Sequence, residues 1–435
     1  MMPKILIVGT VPYNKRSTSR AFESYFHGYD KACLAQIFSN TKKPAKGHCE
    51  TFYQITDQRM VMRRLKPKLD TGIIFTDADL EDEWKDNSLE VNSAAFEKMY
   101  HIGTKKSPLI YLLRGLVWNK RYWCTEKLNR WLDEFQPDCV FLAFSDDFFI
   151  PQIALYAARR FRIPIVSCIG DDYYFNDRRT ASPLYHLYRG LYKKLIRRVF
   201  AHGGSAIYIS DKIRDKYNGE FGLDGETVYL TSELKRREFA PVPDNPRFAY
   251  FGNIGLGRYR SLYEIGEALR KVSADYRLDI YSNQVEQEAK KLFAACPAIR
   301  FHGSIPYAEV QKQIGENDVF IIVEGFGESD INAVRYSLST KAADALASGA
   351  NILVYGSAEA GVVSYMASTG AAVMCTDKEE LENCICQLLR DPAQQKQRYD
   401  NAVLTTEKNH NLDSSTEIFR KVVSEAIKNY EKTSF

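Results

Sequence analysis

"FAYFGNIGLGRYRSLYEIGEALRKV" spans residues 248–272. A short apolar run, a loop with glycines at 252, 255 and 257, and apolar residues at helical spacing follow one another, which predicts strand, tight loop and helix. Such a loop can aim backbone N–H groups and a helix N-terminus at an anion, so phosphate is the expected ligand, with Arg258 and Arg260 adding positive charge. The plainer alternative is a strand-to-helix turn with surface arginines. A dinucleotide fingerprint is disfavoured: its third glycine position holds Arg260, the acidic residue expected after the next strand is Asp279 inside "RLDIYS", and no Walker lysine is present.

Working outward, "KILIVG", "CVFLAF", "PIVSCIG", "SAIYIS" and "TVYL" precede residue 240, and "FAYFGN", "RLDIYS", "IRFHG", "DVFIIV", "NILVYG" and "AAVMC" follow it. Short β-branched runs alternating with helical stretches predict parallel sheets covered on both faces. The proline-rich "APVPDNPR" (240–247) separates the two series, and 435 residues suffice for two cores. The fold class is α/β, with two Rossmann-like domains. Between the first strand and "CVFLAF" the sequence shows no clear periodicity, and extra elements of the first domain are expected there.

Composition narrows the class. With 45% apolar and 26% charged residues and no apolar run near the length of a membrane helix, the chain reads as globular. "KILIVGT" lacks a signal-peptide cleavage pattern and reads as a strand. A net charge of +4 gives no argument for nucleic acid. Nine scattered cysteines support neither a disulfide framework nor a metal ribbon, and the expected location is the cytoplasm. Dispersed histidines and the lack of an HExxH or DxD-type cluster predict no metal and no cofactor.

A second anion site is expected in "DVFIIVEGFGESDINAVRYSLSTKAADALASGANILVYG" (318–356). Ser339 is the expected N-cap, which sets the first-turn N–H groups beside Thr340 and Lys341. Asp344 lies one turn on, where a carboxylate can accept from both hydroxyls of a ribose, and Glu324 ends the buried strand. Diphosphate plus ribose means a nucleotide. The plainer alternative is a Lys–Asp surface pair on a Ser-capped helix.

These pieces, in this order, resemble the donor domain of GT-B-type glycosyltransferases: "FGNIGLGR", "HGSIPY", "DVFIIVEGF" and "STKAADALASGANILV". The resemblance covers roughly 245–405. It implies domains at 1–240 for the acceptor and 241–405 for the donor, facing across a cleft, with a helix from 406–435 bracing the first. It places a sugar-nucleotide diphosphate on Arg258 and Lys341, ribose on Asp344, the base against Ser304 and Ile305, and the sugar or phosphate near Asn253 and Gly255. Retaining, metal-independent, family-4-like hexosyl transfer is implied, although of the two glutamates eight positions apart in that family's pattern the first place holds Tyr336 and the other Asp344. The departure keeps an epimerase or hydrolase of the same fold, and a non-catalytic relative, as alternatives.

In the first half, "IVSCIGDDYYFNDRR" (165–179) ends a buried strand with Asp171 and Asp172, the acid–base candidates alongside Glu324, with Asp146 and Asp147 of "FSDDF" competing. Their plainer reading is a turn cap. Tyr13, Asn14 and Arg20, in the loop after the first strand, are candidate acceptor contacts. Together with "DDYYF" and "IYISDKIRDKYNGEFG", the chain resembles bacterial enzymes of capsule and surface-polysaccharide assembly, which implies a glycan or lipid-linked acceptor. "LYHLYRGLYKKLIRRVF" (184–200) carries five basic residues and no acid, with leucines at helical spacing. A helix of this kind suits the inner, anionic face of a membrane, or else packs on the sheet with a solvated basic face.

Overall fold

A computed structural model describes residues 2–14, 20–41, 43–81, 107–177, 180–283 and 286–433, apart from the side chains of Arg20 and Thr433. It divides into two compact units. The first comprises Met1–Tyr208, Arg214–Val228 and Thr416–Phe435, and the second Ile209–Ile213 and Tyr229–Ser415.

The first unit is built on β1 (Ile5–Val8), β2 (Leu34–Phe38), β3 (Thr51–Ile55), β4 (Gly72–Thr76), β5 (Cys139–Ala143), β6 (Ile165–Ile169), β7 (Gly204–Tyr208) and β8 (Glu226–Thr227). Their order is β4-β3-β2-β1-β5-β6-β7-β8. All neighbours are parallel except β3 and β4. β1, β2 and β6 are buried along their whole length, as a sheet covered by helices on both faces requires.

The second unit contains β9 (Arg247–Phe251), β10 (Arg277–Tyr281), β11 (Ile299–Gly303), β12 (Val319–Val323), β13 (Asn351–Tyr355) and β14 (Val373–Cys375). Their order is β11-β10-β9-β12-β13-β14, the doubly wound pattern in which ligands collect beyond the carboxyl ends of the two central strands. Those strands are β9 and β12. They pair through Val319↔Phe248 and Phe320↔Ala249 only, so a crevice opens where their following loops leave the sheet.

The helix Arg258–Val272 lies over this sheet, with Leu262, Ile265 and Leu269 packed among Tyr250, Leu278 and Ile321. A Cβ on its Gly266 would sit 2.6 Å from Ile299 Cγ1, so the close helix–sheet approach falls there and not at Arg260.

The division at 228/229 precedes the proline-rich segment by a dozen residues, whereas the sequence reading put it at 240. The reason is local: Arg237 N–H donates to the Ser348 carbonyl, Tyr399 to the Arg237 carbonyl, and Ser232 to Asp344, so 229–240 are tied to the second unit. The last helix, Leu412–Thr433, serves both units. From Thr416 onward it belongs to the first, where Phe419 packs against Tyr25, Phe26, Tyr29 and Phe141.

Candidate functional site

The loops after β9 and β12 meet at the switch point of the second sheet. Gly252 and Gly257 have φ of +132° and +72°, values that L side chains rarely adopt. A Cβ on Gly252 would lie 2.8 Å from Cε of Lys341, and one on Gly325 would lie 2.3 Å from the carbonyl oxygen of Leu256. The glycines therefore let the two loops pack back to back and let the Lys341 stem pass.

Into this place the fold brings four charged groups. Arg258, 8% exposed, spends Nε and Nη2 on the same Glu324 oxygen, each at 2.8 Å, which fixes the plane of its guanidinium. Glu324 is 2% exposed, and its backbone carbonyl accepts from Ser261 Oγ. Lys341 is half-buried, and its ammonium donates to Ser339 Oγ at 3.2 Å. Burial, and then the neighbouring Arg258, push its pKa down to about 8 against the opposing pull of Glu324 and Asp344. Asp344, 6% exposed, accepts from Ser232 Oγ at 2.7 Å.

The other candidates sit around this cluster in different ways. The helix is assigned from Lys341 to Ser348 with Thr340 before it, but Thr340 makes no capping bond. Ser339 does the capping, its Oγ accepting the Lys341 N–H at 3.4 Å, so its hydroxyl serves both the backbone and the ammonium of one residue. Gly255 N–H donates to Asn253 Oδ1 at 2.6 Å, a bond that holds the glycine loop in shape. Arg260 points away, to a surface pair with Glu288 at 3.1 Å. Ser304 and Ile305 follow β11, two strands from the crevice. Asp279 is buried and within 2.6 Å of His302 Nε2, a local polar pair where a dinucleotide site would need a carboxylate beyond the strand.

Among the described residues, polar cavities open at the carboxyl edge of the first unit's sheet. One of about 160 Å³ is lined by Tyr111, Asp146, Asp172, Tyr173, Tyr188 and Arg189, among others. Asp172 is largely committed to structure: its Oδ1 accepts from the N–H groups of Tyr174 and Phe175 and from the Tyr217 hydroxyl. Burial raises its pKa despite these donors. Asp171 is exposed and receives the Tyr173 hydroxyl at 3.4 Å. Asp146 accepts from the Tyr111 hydroxyl, and Asp147 pairs with Arg114 while burial lifts its pKa to about 6.

Another cavity, about 260 Å³, is one the sequence did not reveal. The loop Gly9–Pro12 lines it together with Asn40, Asp57, Gln58 and Arg114. Arg114 forks onto both Asp57 oxygens at 3.0 and 2.9 Å, and the Trp118 indole N–H donates to Asp57 at 2.6 Å. The chain separation of 57 residues between Asp57 and Arg114 explains why no motif betrayed it.

Tyr13 and Asn14 both hold contacts within the first unit. Tyr13 stacks on His48 with ring centroids 3.4 Å apart, and buried Asn14 donates to the Pro12 carbonyl. The Arg20 side chain lies outside the described residues. Among the described residues, no group of three or more His, Cys, Asp or Glu side chains is arranged to hold a metal ion.

No protein-family model matches the chain, and no curated protein matches it. Solved structures resemble it over nearly its full length. A glycosyltransferase from Rickettsia africae ESF-5 is 14% identical, with a TM-score of 0.51 and 98% of each chain covered. Anabaena HepE, in complex with UDP, is 10% identical with a TM-score of 0.58, covering 98% of this chain and 100% of its own. A sucrose-phosphate synthase from Thermosynechococcus elongatus is 11% identical with a TM-score of 0.55, covering 98% and 100%. The likeness is one of fold: the chain has the two-domain GT-B architecture of glycosyltransferases.

Proposed function

We propose that the chain is a glycosyltransferase that takes a nucleoside-diphosphate sugar in its second unit and delivers the sugar to a glycan or lipid-linked acceptor held by its first. The observation that carries this is the cluster of Arg258, Glu324, Lys341 and Asp344 at the switch point of the second sheet. A diphosphate there meets a guanidinium fixed by Glu324 and an ammonium held at the start of a helix. As the bond from the sugar to the diphosphate breaks, charge builds on the leaving oxygen, and preorganised cations stabilise that charge more than the ground state. Asp344, oriented by Ser232, takes the ribose hydroxyls, and the loop of Ser304 and Ile305 takes the base. The UDP bound to HepE, a structure of the same fold, supports the class of donor.

Acceptor hydroxyls are assigned to the polar cavities of the first unit, with Asp146 and Asp172 facing one and Asp57 the other. Transfer proceeds without a metal, its electrostatic part falling to Arg258 and Lys341, and with retention at the anomeric carbon.

Calorimetric titration with UDP and a panel of nucleotide sugars tests the donor site. Arg258→Ala and Lys341→Ala are each expected to lower affinity by about tenfold to a hundredfold, the worth of one charge-assisted contact. Unchanged affinity in both would remove the site. Product analysis then separates the readings: donor isomerised or hydrolysed alone identifies the epimerase or hydrolase, and tight binding with no turnover across an acceptor library identifies a non-catalytic relative.

A further inference from the structure

Two helices of the first unit, Pro108–Val117 and Pro183–Phe200, pack side by side through the stacked rings of Tyr111 and Tyr188, 4.7 Å apart. Away from that contact they turn leucines outward: Leu109, Leu113 and Leu116 on one, Leu184, Leu187 and Leu191 on the other, each 44% to 60% exposed. On the second helix the spacing of three and four residues places its three on one stripe, on the edge next to Tyr188 and hence next to the first helix. Isolated surface leucines need no explanation, but a ridge of six on two neighbouring helices marks a partner.

Charge identifies the partner. Neither helix contains an acidic residue, and the leucine stripe of Pro183–Phe200 runs on into exposed Lys194 and Arg198, whereas Arg197 lies over the Tyr174 ring. Arg189 and Lys193, by contrast, turn inward to Asp177 and belong to the unit's own structure. A protein partner that buried the leucines would also have to match the cations along the rim. An anionic lipid surface takes both, with leucines at the acyl boundary and cations among the headgroups. Among the described residues, no helix is long and apolar enough to cross a membrane, so the contact is interfacial.

We infer that this leucine ridge with its basic end is a docking surface for an anionic lipid bilayer. The cavity lined by Pro108, Tyr111, Tyr185 and Tyr188 is built by the same two helices, so docking brings that cavity to the lipid headgroups. The docking itself does not depend on sugar transfer.

The test is co-sedimentation of the full chain with phosphatidylcholine vesicles, with and without phosphatidylglycerol. Binding is expected to the mixed vesicles only and to fall as salt is raised. Leu113→Asp with Leu187→Asp, and separately Lys194→Glu with Arg198→Glu, are each expected to weaken it by about tenfold or more. All four positions are exposed, so the far-ultraviolet spectrum and thermal midpoint of each variant should match the parent's. Equal binding to both vesicle types, or indifference to both pairs, overturns the inference. So does a leucine variant that turns a dimer into a monomer by light scattering, which would make the ridge a protein interface.

Discussion

Lys341 is held where its charge is costly until a ligand arrives. Burial and Arg258 both disfavour the ammonium, and its pKa of about 8 leaves it poised to regain full charge beside an anion. The sign follows from linkage. A bound diphosphate raises the pKa above the free value, so the affinity it supports is complete below pH 8 and declines as pH rises through 8 toward the bound value. Between pH 8 and 9 the dissociation constant of a nucleotide sugar should therefore rise by up to about fivefold, with proton uptake visible as a calorimetric enthalpy that depends on the buffer. Lys341→Arg carries a charge that does not titrate and should flatten this profile. Parent and variant profiles that rise together would mean another group titrates. Glu324 stands in a different position: its partner Arg258 is also buried, so neutralising it strands a cation and tests stability as much as chemistry.

At the scale of elements, a buried imidazole sits at the join between the helices Pro392–Asn409 and Leu412–Thr433. His410, 4% exposed, donates from Nδ1 to the Leu230 carbonyl at 2.7 Å, which leaves Nε2 to accept the Tyr365 hydroxyl at 2.8 Å. Burial lowers its pKa from 6.5 to about 4, outweighing the Leu230 bond. The folded state thus resists protonation that the unfolded chain accepts, and this stabilisation is present above pH 6.5 and lost as pH falls toward 4. Up to about 3 kcal/mol is at stake, and denaturant titrations between pH 7 and 4.5 should show a slope that His410→Gln reduces. An unchanged slope in the variant would assign the acid sensitivity elsewhere.

The same scale shows what the sequence could tell. Strands written as unbroken apolar runs, such as "VFIIV" and "NILVY", were legible because nothing polar interrupts them. β2 and β3 were not, because each carries a glutamine whose buried side chain donates to a loop carbonyl: Gln36 to Thr10 and Gln54 to Asn40. In one dimension those glutamines read as breaks. In three they tie the carboxyl-edge loops of the first unit to its sheet. Arg258 and Lys341 were legible because a glycine loop and a Ser-Thr-Lys helix start are local signals. Glu324's pairing with Arg258 across 66 positions, and the fork of Arg114 onto Asp57, were not, since sequence spacing carries no record of which strand ends lie together.

At the scale of the whole molecule, the chain leaves the first unit at residue 228 and returns to it from Thr416, so a helix distant in sequence from β1 to β8 completes the core of that unit. Phe419 is fully buried against Tyr25, Phe26 and Phe141, which join an early helix and a central strand of that unit. Truncating it removes a large ring from a tight aromatic cluster, and Phe419→Ala should cost about 3–5 kcal/mol. Because every aromatic partner lies in the first unit, the loss should be local. Hydrogen exchange is expected to accelerate in Ile5–Val8 and Cys139–Ala143 while β9 to β14 keep their protection. UDP should do the converse, slowing exchange around 252–258 and 339–344 and leaving β1 and β5 unchanged. If Phe419→Ala opens both sheets in step, the two units fold as one cooperative block, and the helix they share transmits stability and does not merely complete the first.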